Sequence, residues 1–218
     1  MKKLIFILMV GNAFAVTTDD IYDNSYALVI GIDKYDNTPL DYAVKDAESV
    51  ANLLKENFNF SSKNITTLLN EEATLSNIKN SLSKIASSAI ENDRVLIYFA
   101  GHGVTDILPD GGEMGYLLPI DGKVDNLFAT SIPMDDIKRI SSISKSKHML
   151  FLVDACYGGL SAVGARGLDA TTTPNYIDKI TKDKARQIIT AGGRGEQVVE
   201  KSEWGHSAFT LNLIRALE

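Results

Sequence analysis

The sequence has 218 residues, 44% of them hydrophobic and 23% charged, with a net charge of −6; this suits one globular domain of ordinary composition, and the acidic balance argues against nucleic acid as a partner. No run is long enough to span a membrane. One cysteine and three scattered histidines exclude an internal disulfide and a structural zinc site built from those residues alone.

At the N-terminus, Lys2 and Lys3 precede an apolar run from Leu4 to Val10, and Ala13-Phe14-Ala15 follows. A charged region, a short apolar region and an A-x-A site in this order are those of a signal peptide, with a buried N-terminal strand as the competing reading. Residues 1–15 are therefore expected to be removed, the mature chain to begin at Val16, and the protein to be exported, periplasmic or secreted, without stable membrane insertion. A lone thiol in an oxidising compartment needs a reason; burial as a small apolar group is the plainest one.

Further along, Tyr26 to Ile32 (YALVIGI) reads as a strand buried on both faces. Thr38-Pro39 reads as a helix start, with apolar positions Ala43, Ala47, Val50, Ala51 and Leu54 carrying the helix to about Asn57 and Asp46 beside that stripe. Ile65 to Leu69 is a short strand, and Thr74 caps a helix whose inner face is Leu75, Ile78, Leu82, Ile85, Ala86 and Ala89. Arg94 to Val104 (RVLIYFAGHGV) is a second apolar strand, ending in His102 between two glycines. Thr105 to Thr130 is rich in Gly, Pro and Asp, with Gly115 to Leu118 expected in a hairpin, and Pro133 to Ile143 is a helix with Ile137 and Ile140 on one face.

His148 to Gly159 (HMLFLVDACYGG) repeats the form of the His102 stretch: an apolar strand, a small residue, Cys156 and two glycines. A long loop from Gly158 to Lys184, a fifth strand from Gln187 to Ala191 and a closing helix from His206 to Leu217, with Phe209, Leu213 and Leu217 inward, complete the chain. The loop contains Arg166, Lys179, Lys182 and Lys184, and Arg166-Gly167 is the first choice for self-cleavage by a basic-specific peptidase. Gly192-Gly193-Arg194-Gly195 lacks the spacing of a phosphate-binding loop. There is no internal repeat and no second domain.

Strands alternating with helices imply a mostly parallel central sheet with helices on both faces, in strand order 2-1-3-4-5. If the strands before His102 and Cys156 are parallel neighbours, both residues emerge at one sheet edge, where such folds bind and react. A thiol needs a nearby base to act as a nucleophile at neutral pH; a buried structural thiol is the bland alternative for Cys156, and structural or surface roles are the readings for His148 and His206.

These residues resemble the cysteine peptidases of the caspase-like clan, peptidase family C14. Tyr26 to Tyr35, AVKDA, ATLSNI, GHG and DAC occur in that family's order, across about Tyr26 to Leu217, and stand closer to metacaspases and their bacterial relatives than to animal caspases. The resemblance implies an α/β three-layer caspase-like sandwich over residues 16–218. It implies Cys156 as nucleophile, His102 as general base, backbone amides of Gly103 and Cys156 as the oxyanion hole, and Asp46 and Asp154 as acids of the S1 pocket. Ala100 stands where metacaspases often carry Ser, and Tyr157-Gly158 replaces the usual His-Ser. No cofactor is required by this chemistry; calcium is an open possibility, since Asp135 and Asp136 resemble two metacaspase ligands while Val163 occupies the place of another acid. The family sheet usually has one further strand after the last helix, so the sequence is expected to be truncated at Glu218.

Asp154 and Cys156, two apart on a strand, would share a face at roughly 6–7 Å. A carboxylate so close disfavours the thiolate unless it serves a cationic substrate. With Asp46 as a second acid and no basic partner evident in these motifs, the expectation is an endopeptidase acting on protein or peptide substrates, cleaving after Arg, then Lys, and not after Asp. The alternative function is a catalytically inactive caspase-fold interaction module.

Overall fold

The structure, a computed structural model, describes residues 21–155, 183–192 and 199–218. The expected signal peptide, Cys156, Val163, the Arg166-Gly167 bond, most of the long loop and Gly193-Arg194-Gly195 lie outside the described residues.

The chain opens with β1 (Ser25–Gly31), α1 (Ala43–Phe58), β2 (Ile65–Leu69), α2 (Leu75–Ser88) and β3 (Arg94–Ala100). An antiparallel excursion follows: β4 (Gly103–Ile107), β5 (Glu113–Leu117), the one-turn helix α3 (Leu127–Thr130) and β6 (Ile132–Pro133). Then come α4 (Met134–Ile143), β7 (His148–Asp154), β8 (Ala185–Thr190), the short pair β9 (Glu200–Lys201) and β10 (His206–Ser207), and α5 (Ala208–Leu217). The main sheet has the order β2-β1-β3-β7-β8, and every pairing in it is parallel. This is the expected order 2-1-3-4-5. β4, β5 and β6 form a separate antiparallel sheet, which contains the expected hairpin.

Alternation along the central strands divides the core into two layers. Leu28, Ile30, Val95, Ile97, Phe99, Met149, Phe151 and Val153 pack toward Ile78, Leu82 and Ile85 of α2 and Ile137 of α4. Ala27, Val29, Tyr98, Ala100 and Leu152 face Ala43, Ala47, Val50, Ala51 and Leu54 of α1, with Phe209 and Leu213 of α5 beside them. The result is the three-layer α/β sandwich, buried on both faces of the sheet as its unbroken apolar strands require.

The last residue of β1 sets how closely α1 approaches. A Cβ on Gly31 would lie 2.5 Å from the Ala43 carbonyl oxygen and 2.7 Å from the Ala47 Cβ. Only a residue without a side chain allows that contact, and the first turn of α1, with Asp46 on it, depends on it.

Two helix starts differ from the sequence reading. α1 begins at Ala43 and not at Pro39, because Asp33 turns the chain back: its carbonyl accepts the Leu40 amide at 2.9 Å and its carboxylate accepts the Val44 amide at 3.2 Å. Asp33 thus satisfies a free N–H of the first turn. α5 begins at Ala208, with His206 and Ser207 paired to β9, and Leu217 is exposed at the helix end and not inward. Thr74 does cap α2, accepting the Asn77 amide at 3.2 Å.

Gly31→Ala should force α1 away from the sheet and lower stability by about 1–3 kcal/mol, the usual range for overpacking. A urea midpoint equal to that of the parent protein would contradict the close-approach account.

Candidate active site

The site forms at the carboxyl ends of β3 and β7. Ala100 and Asp154 are direct partners in the parallel register. His102 and Cys156 each follow one of these partners by two positions. His102 is described, at the turn from β3 into β4; Cys156 is not.

Tyr35 and Thr38, from the segment after β1, hold His102. The Tyr35 hydroxyl accepts the His102 backbone N–H at 3.1 Å and donates to the Leu118 carbonyl at 2.8 Å. The two rings pack with centroids 4.5 Å apart. A Cβ on Gly101 would sit 2.5 Å from the Tyr35 hydroxyl, so the glycine before His102 is what admits this contact. Burial pushes the Tyr35 phenol well above its ordinary pKa, so it remains a neutral donor. His102 Nε2 lies 2.6 Å from the Thr38 carbonyl oxygen and 3.0 Å from Thr38 Oγ1. A carbonyl can only accept, so Nε2 carries the hydrogen in a neutral ring and Nδ1 keeps the lone pair.

The expected pocket acids are brought together. A cavity of about 180 Å³ is lined by Leu40, Ala43, Asp46, Ala100, Gly101, His102, Asp154 and Glu200. Asp46 is 1% exposed and Asp154 4%. Asp46 Oδ1 lies 2.5 Å from His206 Nδ1, and Asp46 Oδ2 accepts the Ser207 amide at 3.0 Å. Asp154 Oδ2 accepts from Ser207 Oγ at 2.5 Å and from Thr210 Oγ1 at 2.6 Å, and the buried Tyr98 hydroxyl is 2.6 Å from Thr210 Oγ1. Asp154 Oδ1 is buried, with no hydrogen-bond partner among the described residues.

Burial pushes the Asp154 carboxyl above the ordinary range; the Ser207 and Thr210 hydroxyls oppose this, and the neighbouring Asp46 charge adds to it. Burial raises Asp46 as well, opposed by the Ser207 amide and by His206.

His206 corrects one expectation: Asp46 does have a basic partner, supplied from 160 positions away by the β9–β10 pair. The other expected residues lie apart. Asp135 is ion-paired to Lys138 at 3.0 Å, and Asp136 to Lys79 and Arg139 at 3.6 and 3.7 Å, all in or beside the first turns of α4. Among the described residues no group of three or more His, Cys, Asp or Glu side chains could hold a metal ion, and calcium needs six to eight oxygens. His148 is structural, within 2.5 Å of the Tyr22 hydroxyl and 2.9 Å of the Asp183 carbonyl. Gly103 opens β4, opposite Leu117.

A family model for the caspase domain, peptidase C14, matches residues 24–218. This chain belongs to the caspase-domain family. It is 28% identical to Metacaspase-7 of Arabidopsis thaliana over 169 residues, which is 71% of this chain and 40% of that relative. The match thus spans less than half of the metacaspase's length. The fold is also similar to the crystal structure of a protein from Geobacter sulfurreducens, with a TM-score of 0.64 and 19% identity, covering 88% of this chain and 81% of that one. As a caspase-domain protein, the chain carries an acidic cavity directly beside its His102.

Several residues of this caspase-domain site were not singled out from sequence, namely Tyr35, Tyr98, Glu200, Ser207 and Thr210, while Thr38 was read only as a helix start and His206 only as a structural or surface residue. Ser207 carried a usable signal. A serine before an apolar run at helical spacing is an N-cap, and its Oγ does accept the Thr210 amide at 2.9 Å. The rest depend on contacts distant in sequence.

The raised carboxyls make stability fall with pH. A carboxyl whose folded pKa exceeds its unfolded value contributes stability that is complete below the unfolded pKa and is lost as pH rises through the folded one. Relative to an Asp154→Asn variant, the parent protein should therefore lose stability as pH rises above the ordinary carboxylate range. A stability difference that does not change with pH in urea titrations would show that Asp154 is not under this penalty.

Proposed function

We propose that the chain is a cysteine endopeptidase that cleaves after Arg, then Lys, with Cys156 as nucleophile and His102 as its base. The observation that carries this reading is that Asp154, whose buried Oδ1 has no hydrogen-bond partner among the described residues, lines a cavity together with His102. An unpaired buried carboxylate oxygen is costly on its own and favourable once a cation reaches it. A guanidinium supplies donors in a planar fork, which suits paired acids better than an ammonium does. Asp46 and Ala100 line the same cavity.

In the proposed reaction, His102 Nδ1 takes the proton of the Cys156 thiol. The thiolate sulfur attacks the scissile carbonyl carbon, and the carbonyl π electrons move to oxygen. As the C–N bond breaks, the imidazolium returns the proton to the leaving amine. Water then hydrolyses the thioester, releasing the acid and restoring the thiol. Amides of Gly103 and Cys156 are the proposed donors to the oxyanion. Thr38 holds the ring with Nε2–H outward throughout, so the same nitrogen accepts and returns the proton. The reaction requires no cofactor, and no step passes through calcium.

The second reading, an inactive interaction module, lacks a specific observation in its favour. Residues 1–15 are proposed as a signal peptide, with Val16 as the first residue of an exported protein.

The test is hydrolysis of a fluorogenic panel with Arg, Lys and Asp at P1. Arg and Lys substrates should be cleaved and the Asp substrate left intact, and Cys156→Ala or His102→Ala should abolish activity without changing the fold. Undiminished hydrolysis by Cys156→Ala, or efficient cleavage after Asp, would refute the assignment.

A further inference from the structure

Asp46 and Asp154 are the buried acids of the cavity, and the first of them is bound to a base. His206 Nδ1 lies 2.5 Å from Asp46 Oδ1. An ionised carboxylate only accepts, so Nδ1 carries a hydrogen whether the ring is neutral or charged, and the proton that changes its charge goes on and off Nε2. The His206 side chain is 17% exposed against 1% for Asp46, so the ring, unlike the acid, is open to proton exchange with water. Each carboxylate oxygen can accept a second hydrogen bond. Asp46 therefore remains available to a substrate while His206 and the Ser207 amide hold it.

Other charges surround β10. α1 brings Lys45, whose Nζ lies 2.7 Å from where a Cβ on Gly205 would sit and 6.0 Å from the Tyr42 ring. β9 places Lys201 opposite His206 and Glu200 opposite Ser207, and Lys201 Nζ lies 4.7 Å from the Trp204 ring. Glu203 stands in the turn between β9 and β10. Asp154 of β7 and Tyr98 of β3 belong to the network behind Ser207, and α5 carries no titratable residue before Arg215. Among all of these, Asp46 is the group the imidazole binds.

We infer that His206 is a specificity-determining residue acting through Asp46: a neutral ring holds that acid for a basic side chain, and a charged ring cancels it, so that acidification weakens recognition of Arg and Lys. The inference rests on the proposed specificity for basic residues and adds its regulation. Histidine is the side chain that changes charge between about pH 5 and 8. With the ring neutral, Asp46 and Asp154 both offer negative charge to a cation entering the cavity. With the ring charged, an imidazolium already neutralises Asp46, and the entering cation meets one net negative charge fewer. Burial raises both acids, and their own protonation weakens cation binding in the same direction. The part carried by His206 is the part that disappears when its ring is replaced. His102 is a separate group, held at the turn after β3 by Tyr35 and Thr38. The two histidines therefore act on different quantities, His102 on the reactivity of the thiol and His206 on the binding of the basic side chain.

The experiment measures kcat and KM for an Arg substrate from about pH 5.5 to about pH 8.5, together with the rate at which iodoacetamide alkylates Cys156, which needs no occupied pocket. The proteins compared are the parent, His206→Asn, whose amide N–H stands in for Nδ1–H and stays neutral, and His206→Ala. The parent KM should rise about 10- to 100-fold from the alkaline to the acidic end, the range for a hydrogen bond to a charged group. The rise in His206→Asn should be smaller by about 10-fold, with the same pH profile of alkylation as the parent. At the alkaline end His206→Ala should raise KM about 10-fold, and His206→Asn should recover most of that loss. His206→Gln carries the test should the Asn variant fail to fold. With a parent enzyme that cleaves after Arg, identical KM profiles in parent and His206→Asn would overturn this inference alone. An altered alkylation profile in His206→Asn that matches the kinetic change would place the effect at the thiol and overturn it as well. A parent enzyme that cleaves after neither Arg nor Lys, while Cys156 still shows His102-dependent alkylation, would overturn the underlying specificity and this inference with it.

Discussion

Ser207 joins the two buried carboxylates of the cavity at the carboxyl ends of β3 and β7. Its amide donates to Asp46 on α1, its hydroxyl to Asp154 on β7, and the same hydroxyl oxygen caps α5. Burying two acids in one cavity is unfavourable through desolvation and mutual repulsion, and hydrogen bonds are what make it tolerable. Thr210 and Tyr98 extend the network behind Asp154. The outcome is an acid pair held in place, with one oxygen of Asp154 that meets no hydrogen-bond partner among the described residues. The position of α5, the β9–β10 pair and the wall of the cavity all follow from that one residue.

A second constraint acts through two glycines. Gly31 lets α1 come close enough to deliver Asp46, and Gly101 lets Tyr35 reach the backbone of His102. Both lie at the carboxyl ends of central strands, where a parallel sheet opens its crevice. Tyr35 and Thr38 then orient the imidazole from opposite kinds of contact, a ring face and hydroxyl on one hand and a carbonyl on the other. The segment from Asp33 to Tyr42 thus serves the site directly, and the helix it precedes starts late because Asp33 takes over the capping of α1.

The central strands β1, β3 and β7 were legible because each carries a long apolar run, and a sheet covered on both faces leaves few other places for one. The parallel order followed from strand–helix alternation. Asp46 was legible as an acid beside an apolar stripe, and it is fully buried. Thr38-Pro39 misled because the local signal for a helix start was outweighed by Asp33, which caps from 11 positions upstream. His206 and Glu200 were illegible for a different reason. They sit on a two-residue strand pair with no periodicity, and their importance arises from carboxylates 160 and 46 positions away in the chain, at Asp46 and Asp154.

The central claim is that a thiol and an acidic cavity at one sheet edge act together on a basic side chain. The most direct measurement is covalent trapping with two peptidyl acyloxymethyl ketones that differ only in carrying Arg or Asp at P1, read by intact mass and peptide mapping. The account requires a single adduct on Cys156 with the Arg reagent, none with the Asp reagent, and loss of labelling in His102→Ala. Equal labelling by both reagents, or an Arg adduct that forms elsewhere while Cys156 stays unmodified, would contradict it.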